Sequence, residues 1–148
     1  MIMTEEQKDL KDLLLKDLCG RLPYGVKLQH VKNTDSIVEL YSIDLDDFYC
    51  KIQFYTYKGK ALTASEEGKL LKPGGMLRYK PYLFPLSSMT DAEKEEYCQL
   101  QQRVIYNSKG RVNEDVTKYI NWCYKKHLDI NNLIPMDLAI DATGLNIY

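Results

Sequence analysis

Along the N-terminal stretch the apolar positions fall at helical spacing. Leu10, Leu13, Leu14 and Leu18 make one stripe, while Asp9, Lys11, Asp12, Lys16 and Asp17 lie mostly off it. A stripe of that period predicts an amphipathic helix over residues 4–19. Thr4 and Gln7 stand at capping-box spacing, so each side chain can satisfy a free backbone N–H of the first turn. Gly20 is the expected C-terminal cap, because glycine takes positive φ without steric cost. Leu22-Pro23-Tyr24-Gly25 then turns the chain.

The period next changes from helical to twofold, which predicts strands over 26–31, 36–43 and 48–57. The third is the clearest. Phe48, Cys50, Ile52, Phe54 and Thr56 share one face, and Tyr49, Lys51, Gln53, Tyr55 and Tyr57 share the other. The connections Lys32-Asn33-Thr34-Asp35 and Asp44-Leu45-Asp46-Asp47 are short and rich in turn formers, which predicts an antiparallel meander. Over 58–75 the pattern weakens, and Gly59, Gly68, Pro73, Gly74 and Gly75 predict a long loop with a short helical turn near 65–70. Residues 76–86 read as extended but carry Pro81 and Pro85. Proline lacks the ladder donor, so an edge strand or a segment running along the wall is expected.

Helical spacing returns over 90–105, where Thr90 and Glu93 form a second capping box. Asp91, Glu93, Glu95 and Glu96 load the positive end of that helix dipole, and Tyr97, Leu100 and Val104 make its stripe. A third helix is predicted over 113–127, with Asn113 as N-cap and Val116, Ile120, Cys123 and His127 along one face. The stretch 128–148 is apolar enough to dock on the body, with a short helix over 135–141 closed by Gly144. The sum is an α+β fold: an antiparallel meander of three to four strands with about three helices packed on one face, in a single domain over residues 1–148.

Composition supports a packed chain. Hydrophobic residues make up 45% and charged residues 28%, a globular balance. No apolar run approaches the roughly 20 residues that a membrane helix needs, so no membrane partner is expected. A net charge of −1 argues against wholesale attraction to nucleic acid or anionic lipid. Met1-Ile2-Met3-Thr4-Glu5-Glu6 is acidic at once, where an export signal is basic and then apolar, so a cytoplasmic setting is expected. Cys19, Cys50, Cys98 and Cys123 form no C-x-x-C pair and read as free, core-packed thiols.

Candidate chemistry is sparse, and no motif asks for a cofactor. Asp44, Asp46 and Asp47 cluster in one turn, with Asp35 a hairpin away. They are carboxylates of the kind that hold a divalent cation in a metal-dependent hydrolase, but without the spacing of a calcium loop. Cys123 and His127 lie one helical turn apart, yet the cysteine falls on an apolar stripe, where a thiol is inert. Lys69, Lys72, Arg78 and Lys80 surround Pro73-Gly74-Gly75, a basic glycine-containing stretch without the phosphate-loop pattern; a solvated loop is expected there. The third strand carries more. Tyr49, Lys51, Tyr55 and Tyr57 put aromatics and a cation on one face, with Lys58 and Lys60 just beyond. Such a face suits burial, a protein partner or stacked bases of single-stranded nucleic acid. Tyr82 joins these as a binding candidate. It sits in Lys80-Pro81-Tyr82-Leu83-Phe84-Pro85, a stiff aromatic run that would form one wall of a groove.

The runs Arg21-Leu22-Pro23-Tyr24-Gly25-Val26, Lys80-Pro81-Tyr82-Leu83 with Pro85-Leu86-Ser87-Ser88-Met89-Thr90, and Leu133-Ile134-Pro135-Met136 with Leu138-Ala139 resemble an uncharacterised family of short proteins. That family occurs in phages, prophages and genomes of gut anaerobes. The resemblance spans start, middle and end of the chain. It implies a phage or mobile-element origin and a cytoplasmic setting, and it brings no catalytic residue with it. The function expected is that of a small accessory protein that binds another protein, with single-stranded nucleic-acid binding and a metal-dependent hydrolase as alternatives.

Overall fold

The computed structural model describes residues 4–45, 49–58, 61–72, 77–106 and 112–148. The first helix, α1 (Glu5–Arg21), starts at the expected capping box: the Thr4 hydroxyl accepts from the Gln7 N–H at 3.2 Å, and Gln7 Oε1 accepts from the Thr4 N–H at 2.9 Å. It runs past Gly20, which is therefore no cap. The ring of Tyr124 lies so close to Gly20 that a Cβ there would overlap it, so the glycine is a packing requirement. The left-handed residue is Gly25, at φ 69°, after a 3₁₀ turn over Leu22–Tyr24.

Six strands follow: β1 (Lys27–His30), β2 (Ile37–Asp44), β3 (Lys51–Lys58), β4 (Ala61–Lys69), β5 (Tyr79–Leu83) and β6 (Ile140–Asp141). They form one sheet in the order β4-β3-β2-β1-β5-β6. All neighbours are antiparallel except β5 and β6, which run parallel. The class is α+β as expected, but the sheet is larger than the predicted three- to four-stranded meander and is mixed.

Three departures have physical reasons. Residues 61–69 are strand, not loop. Their sequence carries no apolar alternation because every residue of β4 from Ala61 to Glu67 is exposed on either face; the ladder to β3 and polar side-chain bonds hold them. β5 lies inside the sheet in spite of Pro81. The Val31 N–H donates to the Arg78 carbonyl at 2.8 Å, and the strand alternates every two residues, so the Pro81 nitrogen points away from β1. On that far side β6 begins only at the level of Tyr82, and no donor is missed. The helix expected over 135–141 is replaced by turns. Asn132 and Asp137 take positive φ there, and the chain then straightens into β6.

The core is one cluster. α1 supplies Leu14 and Leu18, the sheet supplies Leu28, Val38, Leu40, Ile52, Phe54 and Leu83, and the C-terminal stretch supplies Leu133, Leu138 and Ala139. The Cys50, Ile52 and Phe54 side of the third strand is buried as predicted, while Phe48 lies outside the described residues. The helices do not all pack on the sheet. α2 (Asp91–Tyr106) buries no residue and packs on α3 (Val112–Lys125) through Tyr97 against Tyr119 and Trp122. α3 in turn meets α1 at Gly20 and Arg21. The Thr90–Glu93 box is formed, whereas Asn113 falls inside α3 instead of before it. All four cysteines are free, but Cys98 on α2 is exposed instead of core-packed.

A buried ionic network joins α1 to the segment after α3. Asp17 and Arg21 are both 0% exposed, although Asp17 stands off the apolar stripe of the sequence. Arg21 donates twice to Asp17, from Nε at 2.7 Å and Nη2 at 2.9 Å, and Nη2 also donates to the Leu128 carbonyl at 2.7 Å. Asn131 Nδ2 donates to Asp17 at 2.8 Å, and the guanidinium stands 4.7 Å above the Tyr124 ring. Beside it Tyr148 stacks on His127 with ring centres 3.6 Å apart.

Candidate functional site

The face predicted on β3 exists, and the neighbouring strands complete it. Glu39 and Tyr55 are register partners on β2 and β3, as are Tyr55 and Ser65 on β3 and β4, and Gln53 and Glu67. The β2–β3 register shifts between Leu40 and Ser42, which makes Tyr41 the extra residue of a bulge. Tyr41 stacks on Tyr55 with ring centres 4.5 Å apart, and its hydroxyl lies 2.8 Å from Ser65 Oγ. Alternation missed Tyr41 because a bulge resets the twofold count.

The cations on this face are engaged. Lys51 pairs with Glu67 at 3.1 Å, and Gln53 donates to the other oxygen of Glu67 at 3.0 Å. That hydrogen bond, with the hydrogen bond and charge of Lys51, holds the Glu67 carboxyl below its ordinary range. Lys69 lies 4.9 Å over the Tyr49 ring. Lys27 donates to the Ile147 carbonyl at 2.9 Å and sits 4.8 Å over the Tyr57 ring. Tyr57 donates to Glu39 at 3.1 Å; burial and the negative Glu39 push its hydroxyl up. The structure therefore gathers Tyr49, Lys51, Tyr55 and Tyr57 beside one another, with two glutamates among the lysines.

Tyr82 does not share this open surface. It is 2% exposed, its hydroxyl accepts from Gln29 at 2.9 Å, and its carbonyl accepts from the Tyr148 hydroxyl at 2.7 Å. The groove-wall expectation for Tyr82 gives way to a structural role under the C-terminal residue.

Beyond the tyrosine face lies an open edge. Among the described residues no strand pairs with the outer side of β4. The Leu70 N–H donates to the Cys50 carbonyl, so the alternation points the Gly68 and Glu66 backbone groups at β3. Those of Ser65 and Glu67 point outward. An outward row of donors and acceptors on a long edge strand is a template for pairing with another chain.

The other predicted chemistry is quiet. Burial pushes the Cys123 thiol up to about 11, while burial and the charges of Arg21 and Lys27 push His127 down to about 4. A thiolate–imidazolium pair needs the opposite shifts. Asp44 ends β2 opposite Lys51, and Asp46 and Asp47 lie outside the described residues. Among the described residues no three His, Cys, Asp or Glu side chains gather as a metal site requires, and no helix is long and apolar enough to cross a membrane. Comparison with protein-family models, with curated proteins and with solved structures finds no match.

Proposed function

We propose that the chain acts by binding another protein, adding an extended segment of its partner to the outer edge of β4. One observation carries this reading: β4 is a nine-residue strand, exposed from Ala61 to Glu67, whose Ser65 and Glu67 backbone groups point away from the sheet. Strand addition takes affinity from such main-chain groups and specificity from the flanking side chains. Here the flank is the stacked Tyr41 and Tyr55 on one side and the exposed Glu66 on the other. The segment that fits is extended and places a Lys or Arg across from Glu66. The accessory role in a phage or mobile element rests on the sequence resemblance alone.

Single-stranded nucleic acid fits less well. A stacking platform offers free ring faces and unengaged cations, whereas Tyr41 and Tyr55 cover each other and Lys51, Lys27 and Lys69 are held. Ser65→Pro and Glu67→Pro each remove an outward donor and leave the main-chain bonds to β3 in place, a tolerated use of proline on an edge. A partner captured from host cells is expected to be lost with either variant, and amide exchange at Ser65 and Glu67 is expected to slow in the complex. Equal capture by both variants, or recovery of nucleic acid alone, overturns the reading.

A further inference from the structure

The basic stretch around residues 69–80 has a second life in three dimensions. His30 ends β1 and Lys32 lies in the turn after it, while Arg78 immediately precedes β5. The β1–β5 ladder sets His30 opposite Tyr79, and the Val31 to Arg78 hydrogen bond extends it by a residue. A bridge between Leu71 and Leu77, with the Arg78 N–H donating to the Leu70 carbonyl at 2.7 Å, brings Lys72 alongside. His30, Lys32, Lys72 and Arg78 thus line one cleft of about 300 Å³, with no carboxylate in its wall among the described residues.

The donors are prepared. His30 Nδ1 accepts from the backbone N–H groups of Lys32 and Asn33 at 3.1 and 3.2 Å, which fixes the ring and leaves the proton of the neutral form on Nε2. Burial first, then the charges of Arg78, Lys72 and Lys32, hold this imidazole below its ordinary pKa. Among the described residues no group accepts from the buried Arg78 Nε, a donor that costs free energy until something accepts from it. Among the described residues, Lys32, Lys72 and Arg78 are in no ion pair.

Lys72 also lines a second, mostly apolar groove of about 330 Å³ walled by Leu10, Val31, Leu71, Leu77 and Leu138, to which the Lys80–Asp137 ion pair also contributes. The two spaces adjoin at that lysine. Three cations and a neutral N–H donor match the charge and acceptor count of a phosphoryl dianion better than those of a single carboxylate. We propose that these adjoining spaces bind a small organic phosphate across Lys72, with its phosphoryl group among Lys32, Lys72, Arg78 and His30 and its apolar body in the leucine groove. The site does not use the outward edge of β4 and stands or falls apart from the partner-binding reading.

The test is titration calorimetry on the full chain with inorganic phosphate, phenyl phosphate and benzyl alcohol at constant ionic strength. Phenyl phosphate is expected to bind at least about tenfold tighter than inorganic phosphate, and benzyl alcohol weakly. Arg78→Gln, and the exposed Lys32→Gln as a variant less exposed to folding defects, are each expected to weaken phenyl phosphate by about tenfold. The proposal is overturned if phenyl phosphate does not bind at millimolar concentration, if it binds no tighter than inorganic phosphate, or if both glutamine variants bind it like the wild type. Displacement of phenyl phosphate by a short oligonucleotide of far higher affinity would also overturn it, in favour of a nucleic-acid surface.

Discussion

Replacing Asp17 by leucine is the most demanding test of the buried network. The substitution removes the acceptor of two Arg21 hydrogen bonds, at 2.7 and 2.9 Å, and of one from Asn131 at 2.8 Å. It leaves the Arg21 guanidinium, 0% exposed, with only the Leu128 carbonyl and the Tyr124 ring. Breaking a buried pair from one side costs about 3–5 kcal/mol, because the remaining charge is desolvated and uncompensated. Removing Arg21 as well, as Asp17→Leu with Arg21→Met, takes that charge away. The Leu128 carbonyl keeps its bond from the Ile130 N–H at 3.1 Å and the half-buried Asn131 amide can turn to water, so the double variant is expected to lose only about 2 kcal/mol. Urea unfolding of wild type, both single variants and the double variant gives the four free energies, with m unchanged between them. A double variant as unstable as the two single losses added together would refute the reasoning, since it would mean that the two residues contribute independently.

Three further expectations are accessible to the same measurements. Gly20→Ala raises helix propensity but forces the new Cβ into Tyr124; a net loss of about 1–2 kcal/mol is expected, turning to a gain in a Tyr124→Ala background. Tyr148→Phe leaves the Lys27 N–H and the Tyr82 carbonyl without their partner at 2.9 and 2.7 Å, for a loss of about 1–3 kcal/mol by denaturant unfolding. His127 titrates near 6.5 when unfolded and near 4 when folded, so the unfolded chain holds the extra proton between those values and stability drains away as pH falls through that window. With Arg21, Lys27 and Tyr148 around the ring, and with part of it in contact with solvent, about 2 kcal/mol of acid sensitivity is expected to vanish in His127→Asn when stability is followed against pH.

What could be read from the sequence was whatever burial had written into it. Leu14 and Leu18 at helical spacing, and Ile52 and Phe54 at twofold spacing, each face the core, and both capping boxes formed because they depend on neighbouring residues alone. β4 was illegible because a strand with both faces in water has no apolar signature. Pro81 misled for a different reason: whether a missing N–H matters depends on which neighbour it faces, which is a property of the register. Of the candidate site, Tyr49, Lys51, Tyr55 and Tyr57 were found by alternation. Tyr41 was hidden by a bulge, and the outward backbone of Ser65 and Glu67 has no side-chain code at all. Asp17 and Arg21 stand four residues apart, a spacing that announces a pair but not that it is dry.

The way the segment after α3 closes over α1 bears on how the chain is made. A ribosome releases residues 5–21 well before residues 128–148. Until the later stretch emerges, Leu14 and Leu18 lack the cover of Leu133 and Leu138, and Arg21 has no Leu128 carbonyl to meet. The nascent chain therefore carries an unsealed apolar surface until residues 128–148 emerge, a state that invites aggregation or chaperone capture. Substitutions in the late segment are expected to lower cellular yield by more than their effect on the finished fold alone accounts for.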